Sequence, residues 1–219
     1  MDHLYSKDTR FLYELIQNAD DNTYARVDGK ICLCFALYPD RLVLDSNEDG
    51  FHEEHVRAIC NTAASTKAAS QGFIGEKGIG FKSVFKVAKK VHIQSNPFSF
   101  SFAYRKDSSD DGLGMITPTN EGYDDLPKNV NTRITLTLLD PSSFTQRENE
   151  LRTLPDMLLL FLPKLQLLRI KIYPRNKKAT KIMFTHKSQK NKLETITKTT
   201  TSHAKSTDRN IHFYVLRRD

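Results

Sequence analysis

The chain has no tryptophan, only three cysteines and no run of 18 apolar residues anywhere in its 219 positions. Without such a run it offers no membrane-spanning helix. Its start, Met1-Asp2-His3-Leu4-Tyr5, lacks the basic-then-apolar pattern of a secretory signal. The expectation is an intracellular protein, cytoplasmic or nuclear, or a fragment of one. Cys32, Cys34 and Cys60 make an odd set without zinc-ligand spacing. Cys32 and Cys34 alternate in an expected strand and share a face, which reads as buried thiols in a reducing compartment. No internal repeat is visible, and the order of elements is not the repeating βαβ of a doubly wound parallel sheet.

What the chain does have is charge, unevenly placed. Residues 164–219 carry 15 Lys/Arg against 3 Asp/Glu, while residues 1–163 carry 18 against 23. A basic tail suits nucleic acid, an anionic membrane or an acidic partner. The plainer reading is a solvated surface on outer strands, because no aromatic platform lies among these scattered cations.

Apolar spacing predicts a helix over 8–25, carried by Phe11, Leu12, Leu15, Ile16 and Ala19. Paired strands follow at 31–38 and 41–45 around Pro39-Asp40, then a short helix at 52–61. Residues 62–74 are small and polar, a composition that suits a lid. A helix is expected over 78–88, strands near 90–95 and 98–104, a long surface loop over 105–128 and a half-buried strand over 131–139. A helix over 144–162 ends at Pro163, and strands are expected at 169–173, 181–184, 194–199 and 211–216. The fold class is α+β. A boundary near 175 divides residues 1–174 from 175–219, a basic β-rich extension that either continues the sheet or opens a following domain.

The stretch from Gly72 to Phe85 organises the rest. Gly75, Gly78 and Gly80 run into an apolar stripe of Ile79, Val84, Phe85 and Val87. A glycine loop closing onto a helix start offers free N–H groups and room for close approach, so it suits a phosphate. It is not a P-loop: Gly75 and Gly80 have the required separation, but Phe81 stands where the lysine must be and Lys82-Ser83 comes one residue late. Lys77 and Lys82 flank the loop, either to neutralise phosphate charge or, for Lys82, to face solvent. Upstream, Glu14 and Asn18 are four residues apart on one helical face beside the apolar stripe. Such a pair is either exposed and ordinary, or a general base next to an amide ligand for a hard cation.

Taken in order, Glu14-x-x-x-Asn18-Ala19-x-Asp21, the strand end Asn47-Glu48-Asp49-Gly50-Phe51, then Gly75-x-x-Gly78-Ile79-Gly80-Phe81 and Asn131-Thr132-Arg133-Ile134-Thr135-Leu136 resemble the four motifs of the GHKL ATPases. That family includes DNA gyrase B, MutL, the ninety-kilodalton heat-shock chaperones and histidine kinases, and the wording looks closest to its sacsin-like branch. The resemblance covers roughly residues 5–140. It implies a Bergerat fold: a two-layer α/β sandwich whose mixed, mostly antiparallel sheet is covered on one face by helices.

Position by position, the resemblance makes Glu14 the general base and Asn18 the Mg²⁺-bridging amide. It places Asp21 and Thr132 near adenine. Gly75, Gly78 and Gly80, with Ile79 and Phe81 between and beyond them, hold the phosphates. It makes 62–74 an ATP lid whose Lys67 reaches a phosphate. One departure concerns the aspartate that accepts from the adenine amino group. Counting back from Gly50 puts Ser46 there, and Glu48 where the family has its first glycine; Asp45, Asn47 or Asp49 supplies the acceptor only with a small shift. A second concerns the basic residue that completes several of these sites from a following domain, for which Lys164, Arg169 and Lys171 are candidates by charge alone. The implied function is an ATP-binding, slowly ATP-hydrolysing domain of a larger protein, a chaperone-like switch using ATP and Mg²⁺. Its partners would be further domains of the same chain and protein clients. The alternatives are a non-hydrolysing nucleotide-binding module and an ATP-regulated nucleic-acid-binding protein.

Overall fold

The computed structural model describes residues 9–64, 80–103, 118–188, 193–202 and 205–214, with backbone alone at 61–64 and 80–82. Helix α1 spans Arg10–Asp21; strands β1, Cys32–Leu37, and β2, Arg41–Ser46, follow, then helix α2, Glu53–Ala64. A 3₁₀ helix at Gly80–Lys86 leads into β3, Ala88–Ser95, β4, Phe98–Ala103, and the short β5, Pro118–Asn120. Strand β6, Thr132–Leu138, precedes helix α3, Phe144–Arg152, and the chain closes with β7, Leu167–Ile172, β8, Thr180–Ser188, β9, Leu193–Ser202, and β10, Lys205–Tyr214.

These strands form one ten-stranded sheet in the order β10-β9-β8-β7-β1-β2-β6-β3-β4-β5. Every described pair is antiparallel except β1 with β7. The protein is therefore α+β with a mixed, mostly antiparallel sheet and few helices. The three strands from the basic end of the chain, β8 to β10, extend the same sheet.

Alternation along the strands decides which face is buried. Phe35, Leu37, Leu42, Leu44, Ile93, Phe102, Leu136, Leu168, Ile170 and Phe184 point to one face and are nearly inaccessible. Phe11, Leu12, Leu15 and Ile16 of α1 join them in one core, with Val84 and Phe85 of the 3₁₀ segment and Leu151 of α3. The opposite face carries polar pairs. Asp45 accepts from Arg133 Nε at 2.7 Å and Nη2 at 2.8 Å, and Cys34 lies opposite Arg169 and Asp45 in the ladder.

The element boundaries differ from expectation in physically simple ways. The helix expected over 144–162 ends at Arg152, and only a 3₁₀ turn, Leu158–Phe161, follows. Pro155 has no N–H and its ring clashes with the preceding turn, so no helix passes through it. The expected helix over 78–88 is, in its described part, a 3₁₀ segment that gives way to β3 at Ala88. Within the expected loop 105–128, Pro118–Asn120 adds a three-residue edge strand to β4. Strand β10 starts at Lys205 rather than 211, because the hairpin register with β9 carries pairing back to Ser202 through residues that are exposed. Of the basic tail, Lys198 and Arg209 both reach Asp156, at 2.7 and 3.4 Å.

Candidate functional site

The site is built where the end of α1 meets the ends of β2 and β6. Leu15, Ile16 and Ala19 are buried against the sheet, so Asn18 and Asp21 fall at the edge of that contact. The last turn of α1 is fixed from across the fold. Asp20, itself buried, accepts backbone N–H bonds from Lys164 at 2.9 Å and Leu165 at 2.7 Å. Lys164 Nζ in turn donates to the carbonyls of Asp21, 3.0 Å, and Asn22, 2.7 Å. A cation on those carbonyls satisfies groups the helix leaves open and complements its dipole. Tyr24 adds a bond from its hydroxyl to Ala19 O at 2.6 Å, and burial raises its phenol well above the ordinary range.

The floor comes from the sheet. Ser46 of β2 lies directly opposite Thr132 of β6, and Leu44 opposite Ile134. Thr132 is also paired with Ser95 of β3, their hydroxyl oxygens 2.6 Å apart. Ser95 Oγ accepts from Phe51 N at 2.7 Å. That bond holds the turn in which Gly50 takes φ +92°, a conformation L side chains rarely adopt. The second wall is α2, with His55, Ala58 and Ile59, and Phe51 meets the His55 ring edge-on at 5.9 Å between centroids.

Between these elements is a cavity of about 130 Å³ lined by Leu15, Asn18, Asp21, Ser46, Glu48 and Thr132 on one side and by Phe51, His55, Ala58 and Ile59 on the other. Pockets for whole small ligands run to roughly 300–1,000 Å³, so the described cavity suits one part of a ligand. Its walls are largely apolar, with a few inward polar groups, the composition common to small-ligand pockets.

The structure brings Asn18, Asp21 and Thr132 together around this cavity. Glu14 is half-buried at 28% exposure on the same helix and accepts from Arg10 Nε at 3.2 Å; it does not line the cavity. Asn47 and Asp49 are turned elsewhere. Asn47 accepts from Cys32 N at 2.8 Å and donates to Lys30 O at 3.0 Å. Asp49 accepts from Ala25 N at 2.7 Å and Arg26 N at 2.8 Å, and these bonds, the one from Arg26 foremost, hold its carboxyl below the usual range. Gly50 serves the turn. Lys67, Gly75, Lys77, Gly78 and Ile79, and residues 65–74 of the expected lid, lie outside the described residues; Gly80 and Phe81 are described by backbone alone. Of the basic candidates, Lys164 holds the end of α1, while Arg169 and Lys171 sit beside the outward-facing Cys34 and Ala36.

Ser46 and Glu48, in contrast, line the cavity, and Glu48 is 2% exposed. Its backbone is pinned on both sides: its N–H donates to Ser46 Oγ at 3.3 Å, and its carbonyl accepts from Asn131 Nδ2 at 2.7 Å. On β2, Leu44 and Ser46 share the inner face while Asp45 faces out to Arg133; Glu48 lies two residues past the strand's end, where alternation no longer fixes its direction. Among the described residues no group of three or more His, Cys, Asp or Glu is arranged to hold a metal ion. No described helix is long and apolar enough to cross a membrane.

No family model matches the chain. Protein NO VEIN of Arabidopsis thaliana is 47% identical over 116 residues, which cover 53% of this chain and 4% of that protein. Chaperone protein HtpG of Anaplasma phagocytophilum is 30% identical over 166 residues, 64% of this chain and 25% of HtpG. HtpG of Rhodococcus jostii is 31% identical over 153 residues, 57% of this chain and 23% of HtpG. The chain thus spans a quarter or less of the curated relatives it matches.

Proposed function

We propose that this chain is a nucleotide-binding domain of the GHKL type, with a Bergerat fold, which binds ATP and hydrolyses it slowly as a conformational switch within a larger protein. The observation that carries the reading is the convergence of Asn18, Asp21 and Thr132 on one cavity, in the order the motif resemblance assigns them. Similarity to chaperone HtpG over more than half of this chain supports it.

In this reading the base of the nucleotide enters between the Leu44–Ile134 floor and the α2 wall. Thr132 and Glu48 take its polar edge. Glu48 supplies the carboxylate acceptor that Ser46, a hydroxyl, replaces in the family pattern. The Asn18 amide oxygen is a hard ligand and would hold Mg²⁺ together with the nucleotide's own phosphates, whose charge the ion would neutralise. Glu14 takes a proton from water, once its carboxylate is released from Arg10.

ATP titrated with and without Mg²⁺ and followed by thermal unfolding tests binding. At 100 times its dissociation constant, a ligand adds about 2.7 kcal/mol of stability. Phosphate release from the native chain and from Glu14→Ala then tests hydrolysis, with turnover lost and binding kept in the variant. No stabilisation by ATP under either condition removes the reading. A second reading, a module that binds ATP without hydrolysing it, is favoured by one observation: Glu14 stands outside the cavity and is ion-paired with Arg10 at 3.2 Å. Binding with equal, background phosphate release from both chains selects it.

A further inference from the structure

A second cavity, of about 210 Å³, lies between the start of α1, the 3₁₀ segment and the start of α3. Its lining includes three cations, Arg10, Lys86 and Arg147, and one carboxylate, Asp140. That carboxylate is already committed: Asp140 accepts from Ser142 N at 2.8 Å and from the Ser142 hydroxyl, and the hydroxyl bond, the larger cause, together with the backbone bond, lowers its pKa.

Arg147 is the unusual member. Its side chain is 5% exposed, and Nη2 meets Glu150 Oε1 at 2.9 Å. Nε and Nη1 are buried and donate to no acceptor among the described residues. A guanidinium has five N–H donors, and buried donors are almost always satisfied. The face of the Phe11 ring, 5.4 Å from Cζ, attracts the charge but accepts no strong hydrogen bond.

Two more features lean the same way. Lys86 is exposed and makes no ion pair among the described residues. The start of α3 has no side-chain cap, because the Ser143 hydroxyl turns back to Asp140 O at 2.6 Å. Ser143 and Gln146, at the start of α3, also line the cavity.

We infer that this cavity is an anion site, separate from the nucleotide cavity, that takes a tetrahedral phosphate group between Arg147, Lys86 and Arg10. Its three cations suit a phosphate or a phosphorylated side chain. Arg10 is shared: it holds Glu14 at 3.2 Å from the other side.

The test is a titration of the full chain with inorganic phosphate, and in parallel with O-phosphoserine, at ionic strength held constant with chloride. Calorimetry and phosphorus NMR line width report binding. Saturable binding is expected in the native chain, weakened about tenfold in Lys86→Ala and retained in Asn18→Ala. Lys86 is exposed, so its variant folds even if Arg147→Met does not. Tighter binding of O-phosphoserine than of phosphate points to a modified side chain as the source, and the reverse to the free ion. Binding lost in Asn18→Ala but kept in Lys86→Ala places the phosphate in the nucleotide cavity and overturns the inference. So does a response to phosphate no different from that to chloride.

Discussion

The hydroxyls of Ser95 and Thr132 face each other across β3 and β6 with their oxygens 2.6 Å apart, and Ser95 also accepts from Phe51 N. One serine thus ties the cavity floor to the turn that carries Glu48 and Gly50. Thr132→Val keeps the shape but strands a buried hydroxyl, and it is expected to lower stability by about 1–3 kcal/mol. Ser95→Ala should act similarly. The double variant should lose less than the sum, by roughly 0.5–3 kcal/mol, because the two share one bond. Urea unfolding of the four chains measures this, and strict additivity refutes the coupling.

Glu48 is the residue expected to set ligand preference. Glu48→Ala should weaken ATP binding by about ten- to a hundredfold, the effect of leaving one buried donor of the ligand unpaired. Glu48→Gln, which keeps an acceptor oxygen, should lose less. Affinity unchanged in a folded Glu48→Ala chain takes the base-reading role away from this side chain.

The end of α1 depends on residues 142 to 145 positions further along the chain. Asp20→Ala strands the N–H groups of Lys164 and Leu165 and should cost about 2 kcal/mol or more, whereas Asp20→Asn keeps an oxygen in place and should cost less. Lys164→Ala removes a cation from the helix end, an effect of about 0.3–1 kcal/mol. Thermal melts rank the three, and equal effects of Ala and Asn at position 20 exclude the bonding explanation.

These dependencies mark what was legible beforehand. The period of Phe11, Leu12, Leu15 and Ile16 gave α1, and alternation gave β1, β2 and β6, because those patterns are local. Asn18, Asp21 and Thr132 could be grouped because fixed-spacing motifs carry them. The acceptor at the cavity floor was harder to see. Asn47 and Asp49 have the right chemistry, but their oxygens are spent on Cys32, Ala25 and Arg26, and such backbone bonds leave no trace in composition. The Lys164 contacts and the pairing of β1 with β7 join distant segments, so neither spacing nor periodicity encodes them.

Asp49 gives the chain a pH dependence of known sign. Its pKa is depressed, chiefly by the N–H of Arg26 and also by that of Ala25. Its contribution is therefore present above the unfolded carboxyl's value near 4 and is lost as pH falls below that. Melting temperature should drop from pH 5 to pH 3, and the drop should be shallower in Asp49→Ala. Parallel curves for the two chains contradict this.

Burial, the largest cause, raises the thiol of Cys32 to about 11 and that of Cys34 above its ordinary value. The thiolate is the reactive form, so iodoacetamide at pH 8 should modify both far more slowly than free cysteine. Mass spectrometry of the labelled chain reads this directly, and labelling at the rate of free cysteine opposes it.

The parallel pairing of β1 with β7 joins residues 32–37 to residues 167–172. While the chain is being made, the β1 edge has no neighbour on that side until the second group has left the ribosome. Contacts so far apart form slowly, and an open strand edge invites pairing with other chains. Between the emergence of β1 and that of β7, this edge of the nascent polypeptide is thus exposed to misassembly, and arrival of β7 covers it.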